Sequence, residues 1–132
     1  MSYQAAAALQ TAVFGALVMA PALDGVSVVD ALPSGASPGT FVLIGPEVAV
    51  DRSDGSGAGA EHRLTISVIS DANGFMAAKT VAGAVCEVML AGGMVLGTGH
   101  LVGMEFQRAV ARRLDAGTTR RIDLTFLARI EI

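Results

Sequence analysis

Residues 61–90, EHRLTISVISDANGFMAAKTVAGAVCEVML, contain the pattern that decides the fold. Apolar and polar side chains alternate over residues 63–70, which is the period of a β-strand with one buried face. Turn-forming residues follow, and either Asp71 or Asn73 is expected to cap a helix by accepting a hydrogen bond from a backbone N–H. The stretch therefore predicts a strand that leads directly into a helix.

Residues 75–90 repeat apolar side chains at helical spacing. The predicted buried stripe consists of Phe75, Ala78, Ala82, Val85 and Met89, flanked by Val81, Ala84 and Val88. The predicted wet stripe consists of Met76, Lys79, Thr80, Gly83 and Glu87. A helix this apolar must pack against other parts of the protein, or against another subunit, on more than one side.

The composition indicates that the chain buries more surface than an ordinary monomer does. Of its 132 residues, 52% are hydrophobic and 16% are charged. A membrane span is not predicted, because Pro21 interrupts the best apolar run, residues 11–23, which is shorter than the roughly 20 residues required. A cleaved signal peptide is not predicted either, since no Lys or Arg precedes that run. A subunit that packs against copies of itself fits the composition best.

The charge and the cysteine content argue against a nucleic-acid-binding protein and against a protein stabilised by intrachain disulfides. A net charge of −3 argues against a protein that binds nucleic acid by neutralising phosphates. The single cysteine, Cys86, rules out an intrachain disulfide and favours a reducing, cytosolic origin.

The pattern predicts seven elements in the order α-β-β-β-α-β-β. They are a helix over residues 3–20, strands over 26–30, 41–52 and 63–70, a helix over 75–90, and strands over 100–113 and 119–132. Pro46 places a bulge or an edge position in the second strand, and Gly117 supplies the positive φ of a hairpin turn. Residues 53–60, SDGSGAGA, are expected to be a flexible excursion. The prediction is an α+β fold, a mostly antiparallel sheet with two helices packed on one face.

No catalytic, cofactor or metal site is predicted. The two histidines, His62 and His100, are expected to flank strand ends, and Cys86 lies on too apolar a helix face to complete a zinc site. Residues 51–57 resemble a calcium loop only faintly and lack its final acidic ligand. No serine lies in a nucleophile elbow, so an enzyme is not expected.

Five arginines gather near the tip of the last hairpin. They are Arg108, Arg112, Arg113, Arg120 and Arg121. Three interpretations remain open: a solvated hairpin end, a docking surface for an acidic partner, or a contact with DNA. Guanidinium groups pair well with carboxylates, which favours an acidic partner over DNA.

Four segments together resemble the tail-terminator (tail-completion) proteins of long-tailed phages and gene transfer agents. They are residues 3–23, YQAAAALQTAVFGALVMAPAL; residues 24–47, DGVSVVDALPSGASPGTFVLIGPE; residues 61–90; and residues 101–132, LVGMEFQRAVARRLDAGTTRRIDLTFLARIEI. None is a catalytic signature, so the resemblance rests on the order of many weak features over nearly the whole chain.

The resemblance implies a structural, non-enzymatic role for a single domain, residues 1–132. Such proteins resemble six-fold rings that cap the tail tube, end its polymerisation and receive the connector of the head. The implied partners are copies of the chain itself, the tail tube protein and a head-side stopper or connector protein. DNA would pass through the pore without specific binding, and no membrane is involved. The implied location is the neck of a virion or phage-like particle assembled in the bacterial cytoplasm.

The resemblance also suggests which residues make contacts. Partner contacts are expected at the five arginines and in the loop formed by Asp51, Arg52, Ser53, Asp54, Gly55, Ser56 and Gly57. That loop can contact the tube, line the pore or be an idle hairpin tip. Lys79, Thr80 and Glu87 are expected to mark the boundary of the second helix with solvent or with the next subunit. Two alternatives stay open: another neck component, such as a stopper or tail-tube subunit, or a small oligomeric ligand-binding α+β domain.

Overall fold

The computed structural model describes residues 3–35, 39–55 and 57–132. Its elements are α1 (Ala6–Met19), β1 (Ser27–Val29), β2 (Phe41–Asp51), β3 (Gly59–Ser70), α2 (Met76–Leu90), β4 (His100–Leu114) and β5 (Thr119–Glu131). Short 3-10 turns, Pro21–Leu23 and Asp115–Gly117, follow α1 and β4. The predicted order of helices and strands is confirmed.

The five strands form one sheet in the order β1-β2-β3-β5-β4. All pairings are antiparallel except that of β1 with β2, which is parallel and spans three residue pairs. The long strand β4 and the short strand β1 therefore lie at opposite edges. The predicted α+β class with a mostly antiparallel sheet is confirmed.

Both helices cover the same face of the sheet. The main core joins one stripe of α1, one stripe of α2 and the alternate residues of β3 and β5 that face them. Its largest fully buried side chain is Phe126 of β5, and Leu9 and Leu17 of α1 are equally buried. Removal of this apolar surface from water is the main favourable contribution to folding.

The two faces of α2 agree with the helical pattern. Ala78, Ala82, Val85 and Met89 are buried, and all five residues of the predicted wet stripe are exposed. Phe75, which was predicted to be buried with them, precedes the helix and is only half-buried. The predicted cap is wrong: the helix follows Phe75, and no side chain caps its N-terminus. The hydroxyl of Ser70 instead accepts a hydrogen bond from the backbone N–H of Ala72 (3.1 Å), which shapes the turn before the helix. No helix within the described ranges is long and apolar enough to cross a membrane.

Two bulges change which side chains of β4 face the core. Strict alternation would place Val102 on the same face as Met104, but the register shifts between Leu101 and Gly103, and Val102 is 53% exposed. Leu101 packs against the core in its place. A second shift, between Phe106 and Arg108, interrupts the alternation further along the strand. The bulge predicted at Pro46 is confirmed, since the register of β2 shifts between Ile44 and Glu47.

Gly99, just before β4, has a backbone conformation and a close contact that favour glycine. Its φ is +78°, and a Cβ atom there would lie 3.1 Å from the carbonyl oxygen of Glu131. We expect Gly99→Ala to lower the free energy of unfolding by about 1–3 kcal/mol, because both the φ angle and the contact become strained. Gly97→Ala is the matched control, since nothing lies within 4 Å of the position that its added methyl group would occupy. Urea unfolding of both variants checks the prediction, and equal losses would contradict it.

Candidate interaction surface

The face of the sheet opposite the helices carries a trough that is rich in arginine. At one end, Phe41, Leu43 and Ile69 form a small second apolar cluster. Beyond it lies a trough of about 820 Å³. Its charged lining residues are Arg63, Arg108, Arg112, Arg121, Asp123 and Glu47, and the Glu47 carboxylate points to the other side of the sheet, where it bonds His62 and Tyr3. The lining is therefore richer in guanidinium than in carboxylate groups, although the whole chain is acidic.

Asp123 organises the arginines of this trough. Arg112 and Arg121 are direct cross-strand partners. Their two positive charges repel each other unless a negative charge lies between them. Asp123 supplies it, accepting hydrogen bonds from both guanidinium groups at 2.8 Å and from the Ser67 hydroxyl at 2.6 Å. Arg121 also donates to the Ser67 hydroxyl at 3.2 Å. The group is a fixed, hydrogen-bonded surface on the sheet.

The pKa of Asp123 is lowered by this network. Burial by itself raises the pKa of the carboxyl group, but hydrogen bonds from Ser67 and Arg121, the charge of Arg121 and a hydrogen bond from Arg112 outweigh it. A lowered pKa in the folded state means that the ionised carboxylate stabilises the fold. This contribution is present above the ordinary aspartate pKa of about 3.9 and is lost as the pH falls through the lower folded-state pKa.

We therefore expect Asp123→Asn to be destabilising at neutral pH and progressively less so in acid. At pH 7 the loss should be about 1–3 kcal/mol, because Arg112 and Arg121 keep their charges without a counter-charge. The difference should begin to shrink as the pH falls below about 3.9, the ordinary aspartate pKa, and the two proteins should converge only below the lower folded-state pKa of Asp123. Urea unfolding at several pH values measures this difference. Asp71→Asn, at an exposed turn position, is the control, and a difference independent of pH would contradict the account.

Arg113 and Arg120 lie on the other side of the sheet from the trough. They are also cross-strand partners, and they stack around the ring of Phe75 at 5.4 and 5.7 Å from its centroid. Arg120 also donates to the carbonyl oxygen of Ala72 at 3.1 Å. The five predicted arginines are thus divided: Arg108, Arg112 and Arg121 line the trough, while this second pair packs before α2.

The loop between β2 and β3 is a closed hairpin. Asp51 accepts hydrogen bonds from the backbone and hydroxyl of Ser53, and Asp54 and Gly57 exchange backbone hydrogen bonds. Arg52 pairs with Glu61. The predicted excursion over residues 53–60 is too long, because Gly59 and Ala60 belong to β3 and are buried. Gly55 is exposed at the tip, and Ser56 lies outside the described residues.

The predicted boundary residues of α2 are all exposed. Lys79, Thr80 and Glu87 lie on the wet stripe of the helix. Lys79 also borders a groove of about 230 Å³ between α2 and β4, which includes Cys86, Phe106 and Ala109. Burial raises the pKa of the Cys86 thiol, which makes it less nucleophilic than an ordinary cysteine. This groove is apolar surface on the helix side of the sheet.

The two histidines differ in environment. His100 is exposed at the start of β4. The prediction that His62 flanks a strand end is wrong. His62 is fully buried within β3, where its Nδ1 atom lies 2.9 Å from the Glu47 carboxylate. The same carboxylate accepts a hydrogen bond from Tyr3, whose ring stacks on the imidazole. Among the described residues, no three His, Cys, Asp or Glu side chains are grouped to hold a metal ion.

Comparison with known proteins gives a consistent result. The family model described as "Tail completion protein gp17" matches residues 6–131. A solved chain with the description "Virion of native gene transfer agent (GTA) particle" is 48% identical and superposes with a TM-score of 0.90. The alignment covers 99% of this chain and 100% of that chain. The curated proteins gave no match. The family resemblance seen in the sequence is confirmed, and the chain belongs to the tail completion protein gp17 family.

Proposed function

We propose that this protein is a tail terminator, a structural subunit that assembles into a six-fold ring on the end of the tail tube. The ring ends tail polymerisation and joins the tail to the head connector. The observation that carries the proposal is the likeness, at 48% identity over the full length, to a chain of a gene transfer agent virion. Residues 1–132 act as one domain in this role, without enzymatic activity.

The arginine trough is the docking surface for an acidic neighbour in the tail. Arg63 donates a hydrogen bond to the Gln107 side chain at 2.9 Å, and Arg121 is held in place by Asp123 and Ser67. Guanidinium groups fixed in this way lose little conformational freedom when they meet carboxylates. The neighbour is a protein, either the tail tube protein or the head-side stopper or connector.

DNA passes the ring without specific binding. The chain carries a net charge of −3, so a pore built from its acidic surfaces repels the phosphate backbone. The exposed tip of the β2–β3 hairpin, with Asp54 and Gly55, is a candidate for lining that pore or for touching the tube. The ring lies in the neck of the particle and is assembled in the bacterial cytoplasm.

Polymerisation of the tail tube tests this function. We expect purified protein, added to growing tubes of the tail tube protein from the same particle, to shorten the tubes and to leave a ring on one end. Electron microscopy measures tube length and the fraction of capped ends. A variant carrying Arg63→Glu and Arg121→Glu, which both line the trough, should cap fewer ends, because the trough loses its charge. Tubes that grow unchanged, or protein that inserts along their length, would favour a tube subunit or an unrelated binding domain.

A further inference from the structure

Strand β4 leaves a long edge of the sheet open. It spans His100–Leu114 and is last in the strand order, and no described strand pairs with its outer side. Native proteins seldom leave such an edge uncovered, because its free N–H and C=O groups can pair with another chain. Apolar side chains accompany it: Val102 is 53% and Phe106 is 44% exposed. The open edge of β4 and the exposed apolar side chains beside it together resemble a protein–protein interface.

The opposite edge of the sheet is also open over most of its length. β1 pairs with β2 only from Phe41 to Leu43, so no described strand covers β2 from Glu47 to Asp51. Val48, at 56%, and Val50, at 39%, are exposed there. Each subunit therefore offers two edges, far apart in the sheet, that both lack a partner strand within the described ranges.

The two edges carry opposite charge. The acidic edge, defined as residues 27–30 and 41–52, holds Asp30, Glu47 and Asp51 against Arg52. The Glu47 carboxylate is already bonded to Tyr3 and His62, and Arg52 is paired with Glu61. The basic edge, defined as β4, holds Arg108, Arg112 and Arg113 against Glu105, and Arg112 is engaged by Asp123 at 2.8 Å. Glu105 is itself engaged by Arg129 at 3.3 Å, and Lys79 adds a further positive charge beside the groove. Complementary potentials of this kind fix the partner and the orientation of a contact.

We propose that the basic edge of one subunit docks against the acidic edge of the next copy of this chain. The inference rests on the proposed ring and names the surfaces that close it. A contact between two different surfaces of identical subunits generates a ring when its rotation closes. A symmetric contact of β4 with β4 is disfavoured, because it places the arginines of one copy against those of the other.

Exchange of one charge on each edge tests the proposal. Arg108→Glu reverses a charge of the basic edge, and Arg108 has no carboxylate within ion-pair distance among the described residues. Asp30→Lys reverses a charge at the end of β1, where the side chain is exposed and accepts one hydrogen bond from Gln10. Asp71→Lys, at the exposed turn before α2, is the matched control. Circular dichroism establishes that each variant is folded.

The readout is the fraction of tail ends that bear a ring, measured by electron microscopy on tails that lack the protein. Each single reversal should require an at least about tenfold higher concentration for half-maximal capping, while the control caps as the wild type does. The double variant in one chain should recover most of the loss. An equal mixture of the two single variants should recover it as well. In that mixture, subunits that alternate around a six-fold ring bring the reversed basic edge of one variant against the reversed acidic edge of the other.

Several outcomes would overturn the edge assignment. Single variants that cap as well as the wild type would do so, and so would a double variant no better than either single variant. A contact of β4 with β4 would be indicated if mixing with wild-type protein restored capping by Arg108→Glu and if Asp30→Lys alone capped as well as the wild type. In all these cases the wild type still forms rings, so the proposed function stands. Failure of the wild type to form any ring on tails would instead overturn the proposed function and the edge assignment together.

Discussion

Phe126→Ala is expected to lower the free energy of unfolding by about 3–5 kcal/mol, more than the loss expected for Gly99→Ala or Asp123→Asn. Phe126 is fully buried at the centre of the helix-covered face, in the middle of β5. Alanine removes most of its apolar surface and leaves a cavity between the sheet and the helices. A loss of this size is a large part of the stability of an ordinary domain.

Phe106→Ala is the matched control for this prediction. The two rings pack edge to face with centroids 5.9 Å apart, but Phe106 is 44% exposed on the edge strand. Its removal should cost clearly less, since much of its surface is already in contact with water. Urea unfolding of the isolated variants measures both losses. Equal losses would contradict the assignment of the core to the helix-covered face.

Deletion of the gene is expected to have the largest effect on particle assembly. Without a terminator, tails should grow to uncontrolled length, and few or none should be joined to heads. Electron microscopy of lysates gives the length distribution and the fraction of joined particles. Complementation with the wild type should restore both, while complementation with Phe126→Ala should fail at temperatures where that variant unfolds. Normal particles from the deletion strain would refute a role in ending the tail.

The period of the side chains was sufficient to predict the elements of this fold. Alternation in residues 63–70 and 119–132 and helical spacing in residues 75–90 follow directly from which side chains must be buried. The bulges of β4 were not predictable in this way, because they add single residues to a strand without changing its composition. The turn after β4 was predicted from Gly117, but positive φ angles also occur at Asp115 and at Ala116, and alanine rarely adopts them.

The candidate surface was predictable in part. The arginines of the last hairpin were recognised as a cluster, but adjacent strand residues point to opposite faces, so Arg112 and Arg113 had to separate. The same rule could have predicted this division from the sequence. The role of Asp123 and Ser67 was not predictable, since it depends on the register of β3 with β5. Burial of His62 beside a carboxylate likewise depends on the pairing of β3 with β2.

The central claim is that copies of this chain form a ring at the end of the tail. Electron cryomicroscopy of the head–tail junction of the intact particle, in which this chain is located and its copies are counted, tests it most directly. The account predicts six copies in one ring, between the last ring of the tail tube and the head connector. Copies distributed along the tube, or the absence of this chain from the junction, would contradict it.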